Sequence, residues 1–179
     1  MTGLLLQAGL LILKSLAEFL SILLLLRFHM QVCRVPFNNQ IGAFVLQLTN
    51  WLVMPMRRVI PGVYGLDLAS ILAAYLLQIV VMIALVSLRS GLEALPLESM
   101  ILLILSRSVL SVLRLGVYLL IGLLIVQAIL SWVNPYSPLG RPVGQMTQPI
   151  LRPIQRIVPP VANIDLSPLI VILLAQIVL

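Results

Sequence analysis

The stretch PMRRVIPGVYGLDL, residues 55–68, is written a second time, 98 residues on, as PIQRIVPPVANIDL at 153–166. Pro55, Arg58, Pro61, Asp67 and Leu68 recur as Pro153, Arg156, Pro159, Asp165 and Leu166, with no gap between the copies. At the same offset Gln47 matches Gln145, Thr49 matches Thr147 and Gln78 matches Gln176. VPFNNQ (35–40) resembles NPYSPL (134–139) after a one-residue shift. Long apolar runs flank each copy, so each unit reads as span, turn, surface segment, proline-bounded arginine, aspartate, span. Two such units in parallel are related by an axis along the membrane normal.

Composition sets the solvent. Of 179 residues, 61% are hydrophobic and 9% charged, and the mean hydropathy is +1.18; soluble domains carry about 25% charged residues. A water-soluble core cannot hide this much apolar surface, which predicts an all-α integral membrane protein. The net charge of +6 comes almost wholly from arginine, Lys14 being the only lysine. Charges this sparse, with 6% aromatics, do not make the clustered basic face of a nucleic-acid binder. Cys33 stands alone, which excludes an intrachain disulfide and a cysteine metal cage. His29 is the only histidine, so one chain cannot build a zinc triad or a histidine pair for haem. No carboxylate pair, glycine-rich phosphate loop or nucleophile elbow is present. A non-enzyme without metal or cofactor is expected.

The predicted spans are about 4–27, 66–88, 116–133 and 164–179, with a surface helix at about 40–54. The N-terminus lacks the charged flank and cleavage site of a secretory signal and reads as a retained first span. The last span, at 1.5 Å per residue, crosses only about 24 Å of a core roughly 30 Å thick. Residues 1–90 form the first repeat, 91–115 an amphipathic connector and 116–179 the second repeat. In the connector, Arg107, Ser111 and Arg114 fall on one helical stripe. As a surface helix it gives four spans and puts both repeated segments on one side; as a further span it gives five and puts them on opposite sides. Arg27, Arg34, Arg57 and Arg58 follow the first span, and Arg141, Arg152 and Arg156 follow the third. The positive-inside rule draws both sets to the cytoplasm. This favours four spans in the inner (plasma) membrane, with both termini outside.

Ile41, Phe44, Val45, Leu48 and Leu52 make one apolar helical face, opposite Gln40, Gln47 and Asn50, suited to the headgroup layer or to packing on the spans. Pro142 and Pro149 predict a shorter or kinked counterpart in the second unit. Pro55 and Pro61 predict a stiff, non-helical path to the next span. Asp67 and Asp165 stand where that span begins, and a carboxylate there caps free N–H groups and opposes the helix dipole. Arg58 and Arg156, nine residues earlier, are expected to bind lipid phosphate or to fold back onto these carboxylates. Lys14 and Glu18 share a face inside the first span. Intramembrane charge marks function by default, and the bland reading is an i, i+4 pair near the interface with lysine snorkelling. Gln78 and Gln176 lie inside spans two and four, as interhelical hydrogen bonds or as part of a polar pathway.

PFN/NPY after a span, then LT/MT, PMRRVIP/PIQRIVP and DLAS/DLSP together resemble the YggT family of small bacterial and plastid membrane proteins, over roughly residues 20–179. Asn50-Trp51 departs from the step seen at Gln148-Pro149, and the last span is abrupt. The resemblance implies links to osmotic and ion homeostasis, to cell-division neighbourhoods and, in plastids, to cytochrome assembly and nucleoid distribution. No enzymatic activity defines the family. The expectation is an inner-membrane scaffold or assembly factor that engages anionic phospholipid and membrane protein partners, without nucleic acid, and with room for a homo-oligomer. The alternative is a small channel or transporter subunit, with Lys14, Glu18, Gln78 and Gln176 lining its path.

Overall fold

Apolar runs broken by a few prolines and aspartates fold as six helices in the computed structural model, which describes residues 2–58, 60, 62, 66–87, 96–134, 137–158 and 165–179. They are α1 (Thr2–Val32), α2 (Gln40–Arg57), α3 (Leu68–Ser87), α4 (Leu97–Val133), α5 (Gly140–Gln155) and α6 (Ser167–Val178). The described chain is all-helical, and the order long helix, short surface helix, apolar helix occurs twice. Leu4–Val32, Leu68–Ser87 and Leu97–Ser131 are each long and apolar enough to cross a bilayer. Twelve-residue α6 extends about 18 Å, short of a hydrocarbon core about 30 Å thick.

The turn from α1 into α2 follows from local hydrogen bonding. Val35 N–H donates to Met30 O at 2.8 Å and Arg34 N–H to Gln31 O at 3.0 Å, which is the Schellman pattern. Arg34 takes the left-handed position, φ 53°, and Met30 and Val35 meet in one apolar cluster, the contact that accompanies such a motif. Asn39 then caps α2, its Oδ1 accepting from Gly42 N–H at 2.9 Å.

Three apolar clusters hold the helices together. Leu24 of α1, Val53 of α2 and Ala69, Ala73 and Ala74 of α3 form one; the alanines let the α1 and α3 backbones approach closely. Leu124, Leu151 and Val171 join α4, α5 and α6 in the same manner. Met30, Val35, Leu119, Leu123, Val143 and Met146 tie the first unit to α4 and α5. His29 adds a polar tie, its Nε2 lying 3.0 Å from Met146 O.

Three expectations change. The connector and the third span are one continuous helix, α4, of 37 residues, about 55 Å long; the boundary at 115/116 is absent because nothing there breaks the helix. Pro55 does not end α2, which runs on to Arg57, and Pro149 and Pro153 lie inside α5. All three prolines are exposed, as are Trp51, Gln145 and Pro149 four residues before them, so a carbonyl freed by the ring stays accessible to water. Pro61 and Pro159 lie outside the described residues. Finally, the buried stripe of α2 is Gly42, Val45, Thr49 and Val53, and the expected face member Phe44 points outward.

Candidate functional site

Asp67, at the start of α3, is the centre of a buried charge cluster joining α1, α2 and α3. Arg57 reaches back from the last turn of α2 and donates through Nε at 3.1 Å and Nη2 at 2.5 Å to Asp67 Oδ2. Arg27 of α1 places its Nε 3.3 Å from the same oxygen, and both side chains are 2% exposed. Its Nη1 donates to Thr49 Oγ1 and Asn50 Oδ1, each at 2.8 Å. Ser70 Oγ donates to Oδ2 at 3.0 Å, and Asp67 N–H donates to Gln31 Oε1 at 2.7 Å. Burial pushes the Asp67 carboxyl up. Hydrogen bonds from Arg57 and Ser70, with the charges of Arg57 and Arg27, outweigh burial and hold it below the ordinary carboxylate range. The same hydrogen bond to Asp67 raises Arg57. The carboxylate is therefore ionised at neutral pH, and the cluster ties α2 to α1 and α3.

Arg57 closes onto Asp67, and the expected partner Arg58 does not. Arg58 is exposed and makes no ion pair among the described residues. The reason is rotation: consecutive residues lie about 100° apart on a helix, so Arg57 turns toward the spans and Arg58 toward the surroundings. The second unit keeps this geometry without the charge. Gln155, the counterpart of Arg57, donates to Asp165 Oδ2 at 2.7 Å, and Ser167 N–H at the start of α6 donates to Oδ1 at 2.9 Å. Burial raises the Asp165 carboxyl, but the bonds from Ser167 and Gln155 bring it below its ordinary value. Arg156 is exposed like Arg58. Where Arg27 meets Thr49 and Asn50 in the first unit, Gln127 shares a cleft of about 290 Å³ with Thr147, Gln148 and Gln155 in the second.

A second polar region lies between α1, α3 and α4. Lys14, Glu18 and Gln78 line one cleft of about 810 Å³ together with Arg107, Ser111 and Arg114. Lys14 Nζ stands 3.8 Å from Glu18 Oε1, and buried Gln78 donates through Nε2 to Ser21 Oγ at 3.0 Å. That bond joins α3 to α1. Gln176 is exposed on α6 and lines neither cleft. Sequence reasoning singled out neither Arg27 nor Arg57. Arg57 had a signal, a cation in the last turn of its helix ten residues before Asp67; Arg27, 40 residues before that aspartate, had only its place as a cation within an apolar helix.

The CCB3/YggT family matches residues 6–88 and 106–179. The chain is 33% identical over 168 residues to the uncharacterized protein YggT of Escherichia coli K12, covering 93% of this chain and 85% of that one. It is 34% identical over 173 residues to an uncharacterized Pseudomonas aeruginosa protein, covering 96% and 86%. A Vibrio alginolyticus protein encoded in the proC 3′ region is 32% identical over 161 residues, covering 89% and 84%. No solved structure matches at a significant level. With the match taking in both helical units, the chain belongs to the CCB3/YggT family.

Proposed function

We propose that the protein is a non-enzymatic scaffold of the inner membrane, crossing it four times with α6 included, and that α2 and α5 are its two docking elbows on the cytoplasmic side. The observation that carries this reading is the Arg27–Asp67–Arg57 cluster, in which Arg27 and Asp67 are buried and half-exposed Arg57 ties α2 to α3. A surface helix held in this way presents a defined face. On α2 that face carries Phe44 at 51%, Trp51 at 65% and Met54 at 60% exposure, with exposed Gln47 among them and Arg58, which makes no ion pair among the described residues, at its end. Aromatic and apolar residues next to a cation suit the boundary of headgroups and acyl chains. On α5 the exposed residues Arg141, Gln145, Gln148, Arg152 and Arg156 follow one helical stripe, suited to lipid phosphates or to an acidic segment of a membrane partner. The processes attached to the family by resemblance, from ion homeostasis to division and cytochrome assembly, all involve membrane complexes that such a platform could organise.

Photocrosslinking residues placed in living cells at positions 51 and 152 test the reading. Position 51 should give lipid adducts. Position 152 should give discrete protein adducts that disappear in Arg141→Glu/Arg156→Glu; an adduct at twice the chain mass identifies a second copy. Lipid adducts alone at both positions would remove the partner-docking role. Selective ion flux through liposomes carrying the pure protein, lost in Gln78→Leu, would replace the scaffold by a channel.

A further inference from the structure

We propose that the cleft between α1, α3 and α4 is a binding site for a phosphate-bearing anion, separate from the elbows. Its α3 lining begins at Gln78, midway along that helix, and runs to Leu85 near the end. The cleft therefore occupies the half of the span remote from Asp67, facing the opposite leaflet. At about 810 Å³ it falls within the size range of small-molecule sites, about 300–1,000 Å³.

The charges in this cleft do not balance. Lys14, Arg107 and Arg114 bring three positive charges, against two negative ones from Glu18 and the terminal carboxylate of Leu179. Glu18 stands beside Lys14, and neither Arg107 nor Arg114 has an acidic partner among the described residues. A guanidinium cannot shed its proton, and unpaired charge within an apolar span is costly. Around Asp67 the same chain surrounds one of its own carboxylates with two arginines. Here two arginines on one helix face share a cleft with Glu18 and Leu179 and form no ion pair with either among the described residues. A bound anion supplies the remaining counter-charge. Phosphate suits the position because the guanidinium fork matches its oxygens bidentately, and the Ser111 hydroxyl on the same helix offers a further donor. Val81, Leu85 and Leu110 make part of the wall apolar, so an anionic lipid headgroup fits as well as a soluble phosphate ester.

The test uses the full chain in detergent, washed and presented with vesicles of phosphatidylcholine or of phosphatidylcholine plus phosphatidylglycerol. Retained lipid is counted by native mass spectrometry, and thermal unfolding is followed in parallel. The wild type should keep phosphatidylglycerol in preference to phosphatidylcholine and be stabilised by it. Arg107→Gln/Arg114→Gln should lose about tenfold or more of this retention, in line with the loss of charge-assisted hydrogen bonds. Leu110→Trp fills the cleft without changing charge and should lose it too, which covers the case in which the glutamine pair misfolds. Arg58→Gln/Arg156→Gln, on the elbows, should leave this binding in place. Inorganic phosphate that reproduces the stabilisation and displaces the lipid identifies a soluble source; stabilisation by phosphatidylglycerol alone identifies the lipid. Equal retention of both lipids, or wild-type behaviour in the folded glutamine pair and in Leu110→Trp, overturns the site.

Discussion

Asp67 shows how much depends on one carboxylate. Removing it leaves Arg27, which is 2% exposed, as a buried cation without its counter-charge. Breaking a buried pair from one side costs about 3–5 kcal/mol, so Asp67→Ala should lower the unfolding midpoint sharply. Arg57→Ala should cost far less, about 1 kcal/mol, because its side chain is 46% exposed and Arg27 remains to face the aspartate. Replacing the pair together, as Arg27→Met/Asp67→Leu, should recover most of the loss, since an apolar pair of similar size avoids the desolvation of both ions. Thermal unfolding in one detergent orders the three variants; equal losses from Asp67→Ala and Arg57→Ala would mean that Arg27 is not dependent on the carboxylate. The same residue sets a pH dependence. Its folded pKa is depressed, so its stabilisation is complete above the unfolded carboxylate value of about 3.9 and is lost as pH falls through the lower folded value. The unfolding midpoint should therefore hold from pH 7 to about 5 and fall below about 4. Asp67→Asn should make that fall shallower without abolishing it, because Asp165 is depressed as well.

At the scale of the element, α2 shows both the reach and the limit of pattern reading. Its existence and its start after Asn39 were legible from the spacing of apolar residues. Which face is buried was not, because apolar residues lie on both sides of the helix: Val45 and Val53 are buried, while Phe44, Trp51 and Met54 are exposed. The identical pair Arg58 and Arg156 drew the eye, while the contacts to the aspartates are made where the copies differ, at Arg57 and Gln155. Identity between copies marked what both surfaces share; the contact depends on helix phase, which a linear alignment does not display. The cleft was half legible: Lys14, Glu18 and Gln78 stood out as polar residues in spans, but their meeting with Arg107 and Arg114 required α4 to be one helix. The entry into α2 is also tightly set. A Cβ on Gly42 would sit 2.5 Å from Phe37 O and 2.6 Å from its Cα, both backbone atoms that cannot swing aside. Gly42→Ala should therefore cost about 1–3 kcal/mol, as overpacking does, and speed proteolysis in the 33–39 turn. Arg34→Gly, at the left-handed position, should act oppositely and stabilise by about 1 kcal/mol. Limited proteolysis and unfolding midpoints report both.

The whole molecule is organised by the length of α4. In the proposed four-span arrangement, α4, a continuous helix of 37 residues, about 55 Å long, passes through a core of about 30 Å once. Its two ends then lie on opposite sides. Arg27 meets Asp67 while Ser21 meets Gln78, so α1 and α3 are antiparallel, and in that arrangement they form the first pair of crossings. On that proposal the turn after α1 and the turn after α4 share a side, which the positive-inside rule assigns to the cytoplasm from the arginines that follow each, from Arg34 to Arg58 and from Arg141 to Arg156. Planted cysteines can read this directly. Native Cys33 is a poor reporter, because burial raises its thiol pKa and its Sγ lies 3.7 Å from Met146 O, which leaves little thiolate to react. In a Cys33→Ser background, Asn38→Cys and Pro138→Cys, both at exposed positions, should resist a membrane-impermeant thiol reagent in intact spheroplasts and react once the membrane is permeabilised. Ser99→Cys, exposed near the start of α4, should react in the intact cell. Labelling of Asn38→Cys and Pro138→Cys from opposite faces would require a fifth crossing and an inverted repeat, and would place the two elbows on different sides of the membrane.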